Sequence, residues 1–241
     1  MIEFKNIYKT FNEKEILKDV SFKITKGDSI AIIGQSGVGK SVLIKHINGL
    51  LQPDSGTVHV NGKNLSLLNY RELQKLRSKM AMVFQFGALF DSMNIEENIL
   101  LGLKSIKHNK KNKNQLIVDD VLERVNLNGI NLQYPSDISG GMRKRVGIAR
   151  AIAINPEIIL YDEPTTGLDP ISTNEINSLI KKVHSDNVTS IIVTHELKTV
   201  FDVSNKVIML YDGQIIFEGT PNELKRSKDK YIRYFITGEK H

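Results

Sequence analysis

There is no cysteine in the 241 residues, so disulfides and thiolate metal sites are excluded, as suits a reducing compartment such as the cytosol. No apolar run approaches the roughly 20 residues that a helix needs to cross a bilayer. The opening stretch, Met1–Phe11, mixes charged and apolar side chains and lacks the apolar h-region of a secretory signal. No internal repeat and no sustained heptad pattern is present, which removes solenoids and long coiled coils. What remains is the composition of an ordinary globular chain: 40% hydrophobic and 25% charged residues, with enough length for a well-buried core. The formal net charge of +6 raises nucleic acid or an anionic membrane as partners. Much of that excess sits in KSIKHNKKNKNQ, Lys104 to Gln115, a run whose ordinary reading is a solvated loop. Membrane-surface or nucleic-acid contact is the alternative for that run, and composition alone leaves function open; no nucleic-acid partner is expected once the motifs below are taken in.

Short β-branched runs alternate with helical patterns, which predicts an α/β fold around a mostly parallel sheet. The clearest strands are Ser29–Ile33, Ile158–Tyr161, Ser190–Thr194 and Lys206–Tyr211. The first three are nearly all apolar, as strands buried on both faces are. Ile2–Ile7, Val20–Ile24 and Thr57–Val60 predict a smaller N-terminal antiparallel layer, closed by a tight turn at Asn61-Gly62. Asp212-Gly213 joins Val207–Tyr211 to Ile215–Glu218 as a hairpin. The spacing turns helical between Ala88 and Ala153, which predicts a helical subdomain inserted into the sheet domain. The expected division is residues 1–87 and 154–221 as the α/β core, 88–153 as the helical subdomain and 222–241 as a helical tail.

The strand Ser29–Ile33 runs straight into GQSGVGKS: Gly34, Gln35, Ser36, Gly37, Val38, Gly39, Lys40 and Ser41, then Val42 and a helix. This is the phosphate-binding P-loop in its strand–loop–helix setting. Glycines let backbone N–H groups curl around phosphate oxygens, and the helix N-terminus adds its positive dipole. Lys40 is placed to neutralise the β- and γ-phosphates, and the Ser41 hydroxyl can ligate Mg²⁺. A glycine-rich turn with a chance lysine would explain the motif less well, because it would not require the strand and the helix. Asp162 falls where the strand Ile158–Tyr161 ends, placed to hold Mg²⁺ through its water shell, and Glu163 follows as a candidate general base. Two acids in a turn before Pro164 would mean little alone; beside a P-loop they mean a hydrolytic site. His195 ends the strand in IIVTHE. It is expected at the same carboxyl edge of the sheet, where open α/β sheets bind ligands. Ser139-Gly140-Gly141 opens a further helix, with Ser139 as N-cap and glycines that admit an anion to free N–H groups. Met142, Val146, Ala149 and Ala153 share one face of that helix, and Arg143, Lys144, Arg145 and Arg150 lie on its other faces. One chain thus offers two phosphate-binding helix starts.

The order GQSGVGKS, Gln85, ISGGM, IILYDEP, GLD and His195 resembles the motif series of ABC ATPase domains across essentially the whole chain. The resemblance implies a P-loop NTPase fold with ATP and Mg²⁺ as ligands. It implies that Phe11 stacks on adenine, that Gln85 joins the Mg²⁺ and water shell and senses the membrane partner, and that Glu163, His195 and Gln85 act in hydrolysis. Ile138–Met142 becomes the signature and Gly167-Leu168-Asp169 the D-loop. Two copies pair head to tail, so that Ser139, Gly140, Gly141 and Met142 of one face the ATP on the P-loop of the other. Phe86–Ile95 is then the docking segment for a permease, and the location is the cytoplasmic face of the inner membrane. Most signatures of this kind read LSGGQ; Met142 stands where glutamine is usual. SGGMRKRVGIARAIA together with VFQFGALFDSMNIEENI is similar to the ATPases of Mla and Mce lipid transporters, which implies a lipid cargo and an Mce-type lipid-binding subunit as a further partner. Longer members carry a C-terminal extension whose contacts are not carried over to ITGEKH. A transporter of amino acids or ribonucleotides is the alternative within transport. A soluble ABC protein on nucleic acid would need two cassettes or long coiled coils, and a P-loop kinase would leave the signature and His195 unexplained.

Overall fold

A computed structural model describes residues 1–104, 111–185 and 187–238. The chain forms two compact units, Met1–Leu73 with Thr189 onward, and Gln74–Val188.

The first unit holds an antiparallel sheet of β1 (Ile2–Phe11), β2 (Lys14–Ile24), β4 (Ser55–Val60) and β5 (Lys63–Asn64) in the order β2-β1-β4-β5. Alternation explains its packing: Ile2, Phe4 and Ile7 on β1 are buried, as are Leu17, Val20, Phe22 and Ile24 on β2, while intervening polar residues face outward. Phe4 stacks on Phe22 with ring centroids 4.4 Å apart. Both strands run longer than apolar alternation predicts, because main-chain pairing continues through Phe11↔Lys14 even where side chains are polar. The same unit carries β3 (Ser29–Ile33), β8 (Thr189–Val193), β9 (Lys206–Tyr211) and β10 (Gln214–Gly219), ordered β10-β9-β3-β8. β3 is parallel to both β8 and β9, and β10 returns antiparallel to β9. Every residue of β3 and β8 is buried. Both expected turns form with left-handed pairs, Asn61 (φ 51°) with Gly62 (φ 77°) and Asp212 (φ 45°) with Gly213 (φ 77°), the geometry of a two-residue hairpin.

Helix α1 (Lys40–Ile47) follows the P-loop, and α2 (Tyr70–Arg77) runs across the sequence boundary between the units. α7 (Leu197–Val203), α8 (Pro221–Lys225) and α9 (Lys230–Thr237) complete the first unit. Ile232 on α9 and Leu224 on α8 join Ala31, Ile33, Val200, Val207 and Met209 in one buried cluster. The tail therefore belongs to the core of this unit.

The second unit pairs β6 (Met80–Val83) in parallel with β7 (Ile158–Asp162). It also carries α3 (Ile95–Lys104), α4 (Lys111–Arg124), α5 (Gly140–Ile152) and α6 (Pro170–His184). β6 has no counterpart among the expected strands, because MAMV is too short and too weakly patterned to stand out. Between Ala88 and Ala153 the described residues form α3, α4, a 3-10 turn at Pro135–Asp137 and α5, and no strand. The Lys/Asn-rich run departs from the expected loop: Lys111–Gln115 lie in α4, where Lys and Gln are good helix formers. Residues 105–110 of that run lie outside the described residues. The contact boundary of this unit takes in β6, β7 and α6 together with the expected helical subdomain.

Candidate functional site

In the first unit the P-loop leaves the carboxyl end of β3, and its conformation is one that glycine supplies. Gly34 has φ 147°, and a Cβ there would lie 2.4 Å from the Leu210 carbonyl oxygen, so no side chain fits. Gly39 caps α1 with φ 108° and contributes no side-chain hydrogen bond to the first-turn N–H groups. With no side chain at this position a phosphate can approach the helix start closely, which is how such a start takes an anion. The Lys40 ammonium is buried and donates to the Gly34 and Gln35 carbonyls at 2.8 and 3.0 Å, which holds it across the loop. Gln35, Ser36 and Gly37 are exposed at the tip, whereas Val38, Ser41 and Val42 are half-buried. His195 follows β8, the parallel neighbour of β3, and is exposed just beyond the carboxyl end of that strand. The structure thus brings the P-loop and His195 to the same edge of neighbouring strands, as expected.

Phe11 closes β1 and is 40% exposed. The Lys9 ammonium lies 5.2 Å from its ring centroid and is itself anchored on Asp54 at 2.6 Å, a cation–π arrangement that orders the ring. A cleft of about 290 Å³ joins Lys14, Glu15 and Ile16 to the P-loop tip and to Tyr211 and Tyr231; Phe11 does not line it. The two tyrosine rings pack with centroids 4.0 Å apart, a contact no sequence spacing announces.

In the second unit Asp162 ends β7 and Glu163 begins the following turn, both half-buried. Glu163 adopts φ 51°, a left-handed backbone that is uncommon for a residue with a long side chain and is retained where surroundings enforce it. Its carboxylate accepts a hydrogen bond from the Thr166 hydroxyl at 2.9 Å. Gln85 is half-buried two residues past the end of β6, the parallel neighbour of β7. Its loop is pinned from one side: Arg150 on α5 donates to the Ala88 and Gly87 carbonyls, each at 2.7 Å. Burial holds that guanidinium below its ordinary pKa. A Cβ on Gly147 would lie 3.2 Å from the Gly87 Cα, so two backbones touch there because neither residue has a side chain. The loop then presents Phe86 and Phe90, 77% and 51% exposed, while Leu89 and Met93 are half-buried. Buried Asn98 fixes this segment by accepting from the Phe90 N–H at 2.8 Å and donating to the Phe90, Met93 and Asn94 carbonyls.

The expected signature opens α5. Ser139 is its N-cap, and the Ser139 hydroxyl accepts from the Met142 N–H at 3.2 Å. A Cβ on Gly140 would meet nothing within 4 Å, so no contact within the chain demands glycine at that position. Asp169, of the expected D-loop, caps α6, accepting from the N–H groups of Ile171 and Ser172 and from the Ser172 hydroxyl at 2.6 Å. The Ser172 hydroxyl, above all, holds this carboxyl below the usual range. Asp169 is thus occupied as a cap.

Lys144 and Arg150 lie on faces of α5 other than that of Met142, as the spacing predicts, and the structure turns both to backbone carbonyls. Lys144 is 6% exposed and donates to the Pro164 and Thr166 carbonyls at 3.1 and 2.6 Å. A signal existed: Lys144, Ile148, Ala151 and Ile152 fall at spacings 4, 3 and 1 and are all buried, so the lysine stands on an apolar stripe. The neighbouring Arg143 and Arg145 disguise it as one member of a basic run.

The family model described as ABC transporter matches residues 17–166. The chain is 38% identical, over 99% of its length and 91% of the relative, to the intermembrane phospholipid transport system ATP-binding protein MlaF of Haemophilus influenzae. It is 38% identical, over 99% of its length and 74% of the relative, to protein trigalactosyldiacylglycerol 3, chloroplastic, of Arabidopsis thaliana. Identity to the L-cystine import ATP-binding protein TcyN of Bacillus subtilis is 37%, over 98% of this chain and 92% of the relative. Among solved structures, a dimeric ATP-binding cassette in a post-hydrolysis state with ADP and Pi superposes with TM-score 0.83. It is 32% identical and covers 92% of this chain and 99% of that one.

Proposed function

The chain belongs to the ABC transporter family and is an ATP-binding, ATP-hydrolysing transport subunit; from that premise we propose that it powers movement of phospholipids or related lipids between membranes. The observation that carries the lipid assignment is similarity over nearly the whole chain to MlaF, a phospholipid transport protein. The MlaF-like sequence SGGMRKRVGIARAIA around Met142 supports it. The comparable similarity to a cystine importer keeps a polar solute as the alternative.

The P-loop N–H groups, the start of α1 and Lys40 bind the triphosphate, with Phe11 against the adenine. Glu163 accepts a proton from the attacking water, and His195 and Gln85 orient that water and the γ-phosphate. Ser41, Gln85 and Asp162 offer hydroxyl, amide and carboxylate oxygens, a donor set that suits magnesium. Among the described residues no group of three or more His, Cys, Asp or Glu could hold a metal ion; phosphate oxygens and water, the usual company of Mg²⁺, would complete the shell of a bound ion. When bound, the ion neutralises charge that develops on the β- and γ-oxygens. The open space above Gly140 fits a phosphate that approaches from a second copy in a head-to-tail pair, and the dimeric relative supports pairing of two copies. Among the described residues no helix is long and apolar enough to cross a membrane; the proposed pathway lies in a permease partner. Exposed Phe86 and Phe90 support docking of that permease at Phe86–Ile95. The proposed location is the cytoplasmic face of the inner membrane, with an Mce-type lipid-binding subunit beyond it.

The deciding experiment is reconstitution of the ATPase with its permease in vesicles. ATP-dependent transfer of labelled phospholipid, with no ATP-dependent uptake of cystine, methionine or ribonucleotides, is the expected result. Uptake of a polar solute without lipid transfer would overturn the lipid assignment and leave the ATPase assignment standing.

A further inference from the structure

Lys144 is a long cationic side chain withdrawn from water, and it spends its ammonium on two main-chain carbonyls of a single turn. Those carbonyls belong to Pro164 and Thr166, the first and third residues after Glu163. A buried ammonium is retained only where oxygens replace its hydration shell, so the turn and the lysine hold each other in one geometry. Glu163 itself has φ 51°, a backbone that costs free energy unless the surroundings enforce it, and its carboxylate is held by Thr166. Lys144 fixes Thr166 by the carbonyl, and Thr166 fixes Glu163 by the hydroxyl. The same helix begins at the Ser139 N-cap, five residues earlier, a rise of about 7.5 Å along one rigid element.

From this geometry we propose that Lys144 is a positioning residue for hydrolysis: it holds the Pro164–Thr166 turn so that the Glu163 carboxylate is aimed at the attacking water. The inference rests on the reading of Glu163 as general base. The helix that carries the signature thereby also sets the aim of the base in its own chain. Lys144 touches neither nucleotide nor water in this role, so removing its charge changes turnover and leaves ATP capture intact. Its effect also passes entirely through the Glu163 carboxylate.

The test compares Lys144→Gln, Lys144→Arg, Thr166→Val, Glu163→Gln and the double variant Lys144→Gln/Glu163→Gln for kcat, KM for ATP and thermal midpoint. Lys144→Gln is expected to lower kcat by about tenfold or more with KM within about threefold, the pattern of a lost transition-state interaction. Lys144→Arg, which keeps a cationic donor, should recover most of the rate. In the Glu163→Gln background the Lys144 substitution should cost less than about twofold further, because residues that act through one group are not additive. A wild-type kcat in Lys144→Gln, a KM that rises in step with the loss of kcat, or a full multiplicative loss in the double variant overturns the proposal. If Lys144→Gln does not fold, Thr166→Val decides: it must lower kcat at constant KM, and an unchanged kcat overturns the proposal. Near-normal turnover in Glu163→Gln is a separate failure, that of the general-base reading, and takes this inference with it.

Discussion

Glu163 is the residue on which the hydrolytic reading turns. Glu163→Gln keeps the side-chain size, and its amide oxygen can still accept from the Thr166 hydroxyl, so the left-handed turn should persist. Loss of a positioned base lowers the rate by about 10²–10⁴-fold, while Lys40 and the P-loop N–H groups still bind ATP. The expected outcome is slow turnover with undiminished nucleotide binding and an ATP-stabilised dimer by size exclusion; turnover within threefold of wild type would remove the role. Lys40→Ala acts earlier and should abolish nucleotide binding itself. At the signature, the Ser139 hydroxyl accepts from the Met142 N–H, a bond that does not use the Met142 side chain. Met142→Gln should therefore leave ATPase activity within a few-fold. A Cβ on Gly141 would lie 3.6 Å from the Ser172 hydroxyl oxygen, an ordinary contact, so Gly141→Asp should fold. Its carboxylate would suit the helix start yet repel an incoming phosphate, and ATPase activity should be lost. Equal damage from Met142→Gln would show that the 142 side chain contacts nucleotide.

Helix α5 is the element that organises the second unit. Its N-terminus carries the signature, Lys144 holds the Glu163 turn, and Arg150 holds the loop that follows Gln85. Arg150→Met removes a guanidinium that bridges two carbonyls at 2.7 Å each and leaves those oxygens short of a donor. Hydrogen bonds to charged groups are worth about 1.5–3 kcal/mol, so urea unfolding should show a loss in that range. Gly87→Ala should also destabilise, because φ 77° disfavours a side chain and its Cβ would lie 2.9 Å from the Arg143 carbonyl oxygen. A stability unchanged in both variants would mean that the loop after Gln85 is held by other contacts.

For the whole molecule, the question is how nucleotide state reaches a membrane partner. Phe90 is half exposed, so Phe90→Asp costs little burial and should give a folded, ATP-binding protein that no longer co-purifies with the permease. Met93 is less exposed, and Met93→Asp should lose the permease and some stability as well. Aromatic and methionine side chains are favoured at interface cores because they bury much area and adapt in shape. Unfolding of both variants would return the cluster to the core of the unit, and unchanged permease recovery would move the docking site elsewhere.

Much of this was legible in the residues alone, because the chemistry demands particular types at particular spacings. A phosphate cradle needs glycines before Lys40 and Ser41, a buried strand needs an apolar run before it, and a hairpin of two residues needs Asn-Gly or Asp-Gly. Such constraints are local, within a few residues, and so they appear in the sequence as motifs. The P-loop, the acidic pair Asp162-Glu163, the N-cap Ser139 and both tight turns were read on that ground. Strand β6, the Tyr211–Tyr231 contact and the carbonyl anchors of Lys144 and Arg150 were decided by tertiary structure. Each depends on partners distant in the chain: Met80 pairs with Ile158, and Lys144 reaches a turn 20 residues away. A lysine in a basic run and a lysine buried on carbonyls are the same letter, and only packing around α5 decides how the ammonium is solvated.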